Sequence, residues 1–162
     1  MKKLTAVVLL ILSLLTSCAA DTDADPFSVF TGEIEAEVVL QIDGNSSGLV
    51  YDGNSVEFTA PSELCGYGIK RSGDGITLYY RELEISVSEN AGRIFRLCEA
   101  VFSPDKAVLV KAEQINGVTV TVVNTEQFSY AFSSDGMPLT VSGSFDGEVF
   151  VMTFSEFVRK DQ

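Results

Sequence analysis

From Ile34 the chain alternates. Ile34, Ala36, Val38, Leu40 and Ile42 are apolar, and Glu33, Glu35, Glu37, Val39 and Gln41 stand between them. A period of two marks a strand with one apolar and one mostly acidic face. The run Asp43-Gly44-Asn45-Ser46-Ser47-Gly48 ends it as a turn. Leu49-Val50-Tyr51 follows, and then the hairpin signal Asp52-Gly53-Asn54. From Ser55 to Ala60 the residues Val56, Phe58 and Ala60 share a face, and Pro61 breaks the ladder because it has no N–H to donate. Tyr67 to Arg71 and Ile76 to Val87 read as strands on either side of Ser72-Gly73-Asp74-Gly75. In the second, Ile76, Leu78 and Tyr80 lie on one parity but Leu83, Ile85 and Val87 on the other. That phase change at Arg81-Glu82 reads as a bulge or a break in the ladder.

One stretch has helical spacing. Ile94, Phe95, Leu97, Cys98, Val101 and Phe102 form an apolar stripe between Asn90, a candidate cap, and Ser103-Pro104, a stop. Five more strand-like runs follow: Ala107 to Gln114, Val118 to Asn124, Gln127 to Ser133, Leu139 to Phe145 and Glu148 to Val158. Asn116-Gly117, Ser134-Asp135-Gly136 and Asp146-Gly147 punctuate them. Consecutive strands with short turns favour an up-and-down sheet, and strand twist makes such a sheet curl. The expected fold is mainly β: a curled antiparallel sheet, or half-open barrel, with the helix at Asn90 to Phe102 covering its concave face.

The first residues are organised differently. Lys2 and Lys3 precede an uncharged run from Leu4 to Leu15, and Leu15-Thr16-Ser17-Cys18 closes it. This is the layout of a secretory signal. Its last four residues resemble a bacterial lipobox, in which the cysteine thiol takes a diacylglyceryl group and becomes the mature N-terminus. On that reading residues 1–17 are the signal peptide. Residues 18–26 are the lipidated Cys18 and a tether, and residues 27–162 are a single β-rich domain. An ordinary signal cut near Ala20 is the alternative, whereas the apolar run is too short to span a bilayer. The tether Ala19 to Pro26 reaches about 25 Å when extended. Its alternating Asp21, Asp23 and Asp25 lack the glycine and distal glutamate of a calcium loop and read as a solvated spacer.

Composition narrows the function. Without Lys2 and Lys3, nine basic residues face 23 acidic ones, a formal charge of −14. Such a balance argues against nucleic acid and against lying flat on an anionic bilayer. The chain has no histidine and no tryptophan. Histidine-dependent nucleophile arrangements are therefore unavailable, and two thiols beyond Cys18 are too few for a four-cysteine zinc site. No catalytic residues, metal or cofactor are expected. Those two thiols, Cys65 and Cys98, form an even pair in an exported domain. A disulfide between them and two reduced thiols, packed as small hydrophobes, both stay open.

Tyr51-Asp52-Gly53-Asn54 running into Val56-Glu57-Phe58-Thr59-Ala60-Pro61, and the ending Gly136-Met137-Pro138-Leu139 through Phe154-Ser155-Glu156-Phe157, resemble the LolA/LolB-like lipoprotein-carrier family over about Phe27 to Val158. The resemblance implies a convex antiparallel sheet whose helices plug an apolar cavity for acyl chains. The chain departs from that pattern in lacking Trp and in showing one clear helix. None of Arg71, Arg81, Arg93 or Arg96 can be matched to the family's lumen arginine.

A cavity between the helix stripe and the inward strand faces would be lined by Val38, Leu40, Phe58, Leu78, Tyr80, Leu97 and Val101. The same residues would equally well fill one another's space as core. The expected function is a non-enzymatic binding lipoprotein, held by the lipid on Cys18 at the outer face of a bacterial membrane, for a lipid, acyl chain or other apolar ligand. The alternative is a protein-interaction module with a solid core and an acidic surface, its partner unspecified.

Overall fold

The computed structural model describes residues 25–73, 75–115 and 117–160. The expected signal, Cys18 and nearly all of the tether lie outside the described residues. Eleven strands follow one another: β1 (Ile34–Ile42), β2 (Asn45–Tyr51), β3 (Ser55–Ala60), β4 (Tyr67–Ser72), β5 (Gly75–Tyr80), β6 (Leu83–Val87), β7 (Leu109–Ile115), β8 (Val118–Asn124), β9 (Phe128–Phe132), β10 (Pro138–Phe145) and β11 (Glu148–Arg159). Between β6 and β7 lie a 3-10 turn (Glu89–Gly92) and the helix α1 (Arg93–Phe102).

All eleven strands join one antiparallel sheet in the order β6-β5-β4-β3-β2-β1-β11-β10-β9-β8-β7. The first and last strands pair at its centre, while β6 and β7, consecutive in the chain, stand at opposite edges. The segment between them must therefore cross the whole sheet. Its apolar stripe decides which side it crosses: Phe95, Leu97, Cys98, Val101 and Phe102 are buried against the sheet, each burial contributing about 1.5–3 kcal/mol for the larger side chains. The fold is thus the half-open, helix-covered sheet that the sequence pattern implies.

Turn chemistry agrees with this register. Asp43-Gly44 and Asp146-Gly147 close the β1–β2 and β10–β11 hairpins with positive φ at both residues (48° and 82°, 50° and 84°), as tight hairpins require. β2 therefore begins at Asn45 rather than after Gly48. The helix is shorter than expected, because Asn90 falls in the 3-10 turn and α1 starts at Arg93.

Two phase shifts have distinct causes. Arg81-Glu82 is the loop of a hairpin in which Tyr80 faces Leu83, not a bulge within one strand. The bulge lies in β11, where Phe154 pairs Val38 but Glu156 pairs Glu37, leaving Ser155 as the extra residue. That extra residue lets both Phe154 and Phe157 turn toward the interior despite their odd spacing.

Candidate functional site

Beneath α1 the concave face is solid. Val38, Leu40, Phe58, Leu97 and Val101 are all buried, Val38 and Val101 completely. Phe102 stacks on Tyr51 with ring centroids 4.5 Å apart. Tyr130 donates its hydroxyl to the Val101 carbonyl at 3.1 Å, which satisfies a helix-end acceptor that would otherwise be buried without a partner. The space left beside Leu97 measures about 10 Å³ and is lined by Ile42, Arg93, Ile94, Leu97, Phe145, Glu148 and Phe150. That is room for about one water.

Ion pairs flank the helix on both sides. Arg71 of β4 holds Glu99 through two guanidinium nitrogens. Arg93 reaches Glu148 at 2.8 Å and Arg96 reaches Asp146 at 2.9 Å, both at the β10–β11 turn. All of these groups are partly exposed, so each pair is worth about 0–1 kcal/mol and burial remains what holds the helix down.

A second cover is the amino-terminal turn. Ser28–Phe30 form a short 3-10 helix, and Phe27 and Phe30 are both buried. Phe27 meets Tyr130 edge-on at 4.9 Å, and Phe30 lies 5.6–6.0 Å from Phe102, Phe132 and Phe157. From sequence the domain begins at Phe27, but Phe27 to Phe30 have no assigned element and no place in the core. The signal was Phe27 and Phe30, three residues apart directly after Pro26, an apolar pair that a pure spacer has no use for.

Neither cover extends over the far end of the β4–β6 wing. The 3-10 turn before α1 ends at Gly92, which lies so close to Ile76 that an added methyl would meet its Cδ1 at 2.1 Å. Ile69 and Ile76 are buried there. Farther along the same sheet face nothing covers the side chains. Tyr67 and Tyr80, paired across β4 and β5, stack at 4.3 Å. Leu78 pairs with Ile85, and Leu83 with Tyr80. Leu83 is 70% and Ile85 64% exposed. With Tyr67, Leu78 and Tyr80 they bound an open cavity of about 210 Å³. The Arg81 guanidinium sits 5.0 Å from the Tyr80 ring centroid at its rim.

The seven residues expected to line one cavity are therefore divided. Five are packed core, and Leu78 and Tyr80 belong to the exposed shelf. Tyr67, Leu83 and Ile85 were not foreseen there, because an uninterrupted alternation from Ile76 would put Leu83 and Ile85 on the other face, and it is the hairpin at Arg81-Glu82 that returns them to the face of Leu78 and Tyr80. A groove of about 330 Å³ lies near the helix start, lined by Leu40, Ile42, Asp43, Asn45, Ser47, Ile94 and Glu148. Its walls are mixed rather than apolar.

Both thiols are free, Cys98 buried in α1 and Cys65 exposed in the loop after Pro61. Of the two states left open by the sequence, the structure has the unpaired one. Cys65 donates to the Thr59 carbonyl at 2.9 Å. Burial, with a smaller contribution from Glu99, pushes the Cys98 thiol from 9.0 up to about 12. Burial likewise raises the hydroxyls of Tyr51 and Tyr130 far above 10.0. Among the described residues no three His, Cys, Asp or Glu gather into a group able to hold a metal ion.

Among the described residues the arrangement is an unclosed eleven-stranded antiparallel sheet with one helix across its concave face. No family model and no curated protein matches the sequence. Among solved structures, the chain is similar to the lipoprotein LppX of Mycobacterium tuberculosis, with 12% identity over 82% of this chain and 91% of that one and a TM-score of 0.46. It is also similar to LprF of Mycobacterium bovis (10%, 82% and 89%, TM-score 0.41). A LolA superfamily protein of Nitrosomonas europaea matches too (13%, 81% and 87%, TM-score 0.36). None of these likenesses says what this chain binds.

Proposed function

We propose that the protein is an extracytoplasmic binding lipoprotein, anchored through Cys18, that takes an acyl chain on the open β4–β6 wing of its concave face. The observation that carries this reading is the shelf of Tyr67, Leu78, Tyr80, Leu83 and Ile85, contiguous, apolar and uncovered. Exposed patches of this kind mark binding sites in soluble domains. Arg81 at the rim favours a carboxylate or phosphate head on that chain, against the acidic background of the rest of the surface. Such a site binds and releases; it has no group placed for chemistry.

The test is titration of the chain from Ala19 onward with a dansyl-labelled undecanoic acid. Leu83→Glu with Ile85→Glu weakens binding by about tenfold or more, and Val149→Glu, an exposed apolar residue elsewhere, leaves it unchanged. Equal binding by all three proteins overturns the reading. The anchor is tested separately, by metabolic labelling with palmitate that disappears in Cys18→Ser.

The filled interior beneath α1 favours a second reading, an interaction module. Its contact surface would be the convex face, where Glu35, Glu37 and Glu156 are exposed and Glu37 stands directly opposite Glu156. Binding of a basic partner there weakens steeply with salt; salt-insensitive association counts against it.

A further inference from the structure

The sheet ends in two open edges, and they differ. β6 has five residues and a single charge, Glu84, which is paired with Lys70. β7 has seven residues and pairs with β8 along its whole length on one side. Among the described residues no strand lies on its other side. Such an edge presents backbone N–H and C=O groups that lack a partner strand, and a lone lysine there is a common guard against pairing. β7 does carry Lys111, but Glu113 stands two residues on, on the same face, and the two side chains pair. Leu109, Val110 and Ile115 along the same edge are exposed.

The order of these residues is complementary to itself in reverse. A two-fold axis normal to the sheet sets β7 antiparallel to β7 of a second copy, with opposed side chains on the same face. Centred on Ala112, the register uses all seven residues. Ala112 meets Ala112 of the second copy, and Lys111 meets its Glu113. Leu109 meets its Ile115, and Val110 its Gln114. Ile115 also stands opposite Val118 of β8, so each end of the contact gathers Leu109, Ile115 and Val118 in one row, all of them exposed in the single chain. Moving the centre to Lys111 or to Glu113 opposes like charges instead, which is destabilising.

We infer that the β7 edge is an interaction surface for a second copy of this chain, joining two eleven-stranded sheets through an antiparallel β7–β7 pair centred on Ala112. Charge identifies the occupant. A strand that satisfies both Lys111 and Glu113 must present an anion and a cation two residues apart in reverse order, and β7 turned antiparallel does so. The contact uses the β7 edge of both copies and therefore closes at two. It does not depend on what the wing binds.

The experiment is sedimentation equilibrium of the chain from Ala19 onward, which contains every described residue, at up to about 1 mM because an edge-to-edge contact is small. The parent dimerises. Lys111→Glu and Glu113→Lys each weaken the dimer by about tenfold or more, and the chain carrying both exchanges recovers it. Bulk repulsion between acidic chains cannot mimic this, since the first exchange adds negative charge and the second removes it. Register is read in a Cys65→Ser background. Ala112→Cys forms an intermolecular disulfide under mild oxidation, as opposed Cα atoms lie about 4.5–5.5 Å apart. Val110→Cys does not, because its counterpart is displaced along the strand by about 13 Å. A chain that stays monomeric, a dimer indifferent to the two charge reversals, or equal cross-linking from both positions overturns the inference.

Discussion

The region under α1 and the β4–β6 wing are built from the same kinds of residue on the same face of one sheet. Val38, Leu40 and Phe58 are buried, whereas Leu78, Tyr80, Leu83 and Ile85, a few strands away, are partly or largely exposed. Neither hydrophobicity nor periodicity separates the two groups. What separates them is the path of the crossing segment, which passes over Ile76 at Gly92, lies between Arg71 on one flank and the β10–β11 turn on the other, and ends against Tyr130 of β9. Apolar positions in a curled sheet become core or binding surface according to what crosses them.

The sharpest way to break that contrast is to empty the covered side. Phe95, fully buried in α1, should cost about 3–5 kcal/mol when changed to Ala, seen as a large fall in the urea midpoint. Tyr130→Phe leaves the Val101 carbonyl without its buried partner and should cost about 1–3 kcal/mol. The wing should behave in the opposite manner. Leu83→Glu with Ile85→Glu, at positions 70% and 64% exposed, should move stability by about 0.5 kcal/mol or less per site while removing the acyl probe.

Alkaline titration separates the regions without mutation. The unfolded chain releases the Cys98 proton near 9.0, but the folded chain holds it to about 12. Stability is therefore complete below pH 9 and falls as the pH climbs toward 12. Tyr51 and Tyr130, raised by burial, steepen the fall above pH 10. Consistent with this, a thiol reagent at pH 8 should label Cys65, which is exposed, and reach Cys98 only on unfolding. Early labelling of Cys98 would mean that α1 lifts readily.

Much of the fold was legible in the residues. Alternation from Ile34 to Ile42, the Asp-Gly turns and the stripe from Ile94 to Phe102 located the first strand, two hairpins and the helix, because period and turn chemistry are local properties. The exposed apolar shelf was less legible. A two-residue hairpin loop and a bulge both place residues three apart on the same face, so Tyr80–Leu83 and Phe154–Phe157 carry the same pattern for different reasons. Arg81-Glu82 has no glycine to announce a turn, and Ser155 nothing to announce a bulge. Nor does any local pattern reveal that β6 and β7 stand at opposite edges. That long-range fact sets the path of α1, and with it the division of the seven candidate residues into core and shelf.

The central claim is that an acyl ligand sits on the wing and not beneath the helix. The most direct test is the change in methyl and ring NMR signals as the chain is titrated with a C12 fatty acid. The account predicts shifts confined, at low ligand ratio, to Tyr67, Leu78, Tyr80, Leu83 and Ile85, with Val38, Leu40, Leu97 and Val101 unmoved. Shifts at those four buried residues, with the wing silent, would contradict it.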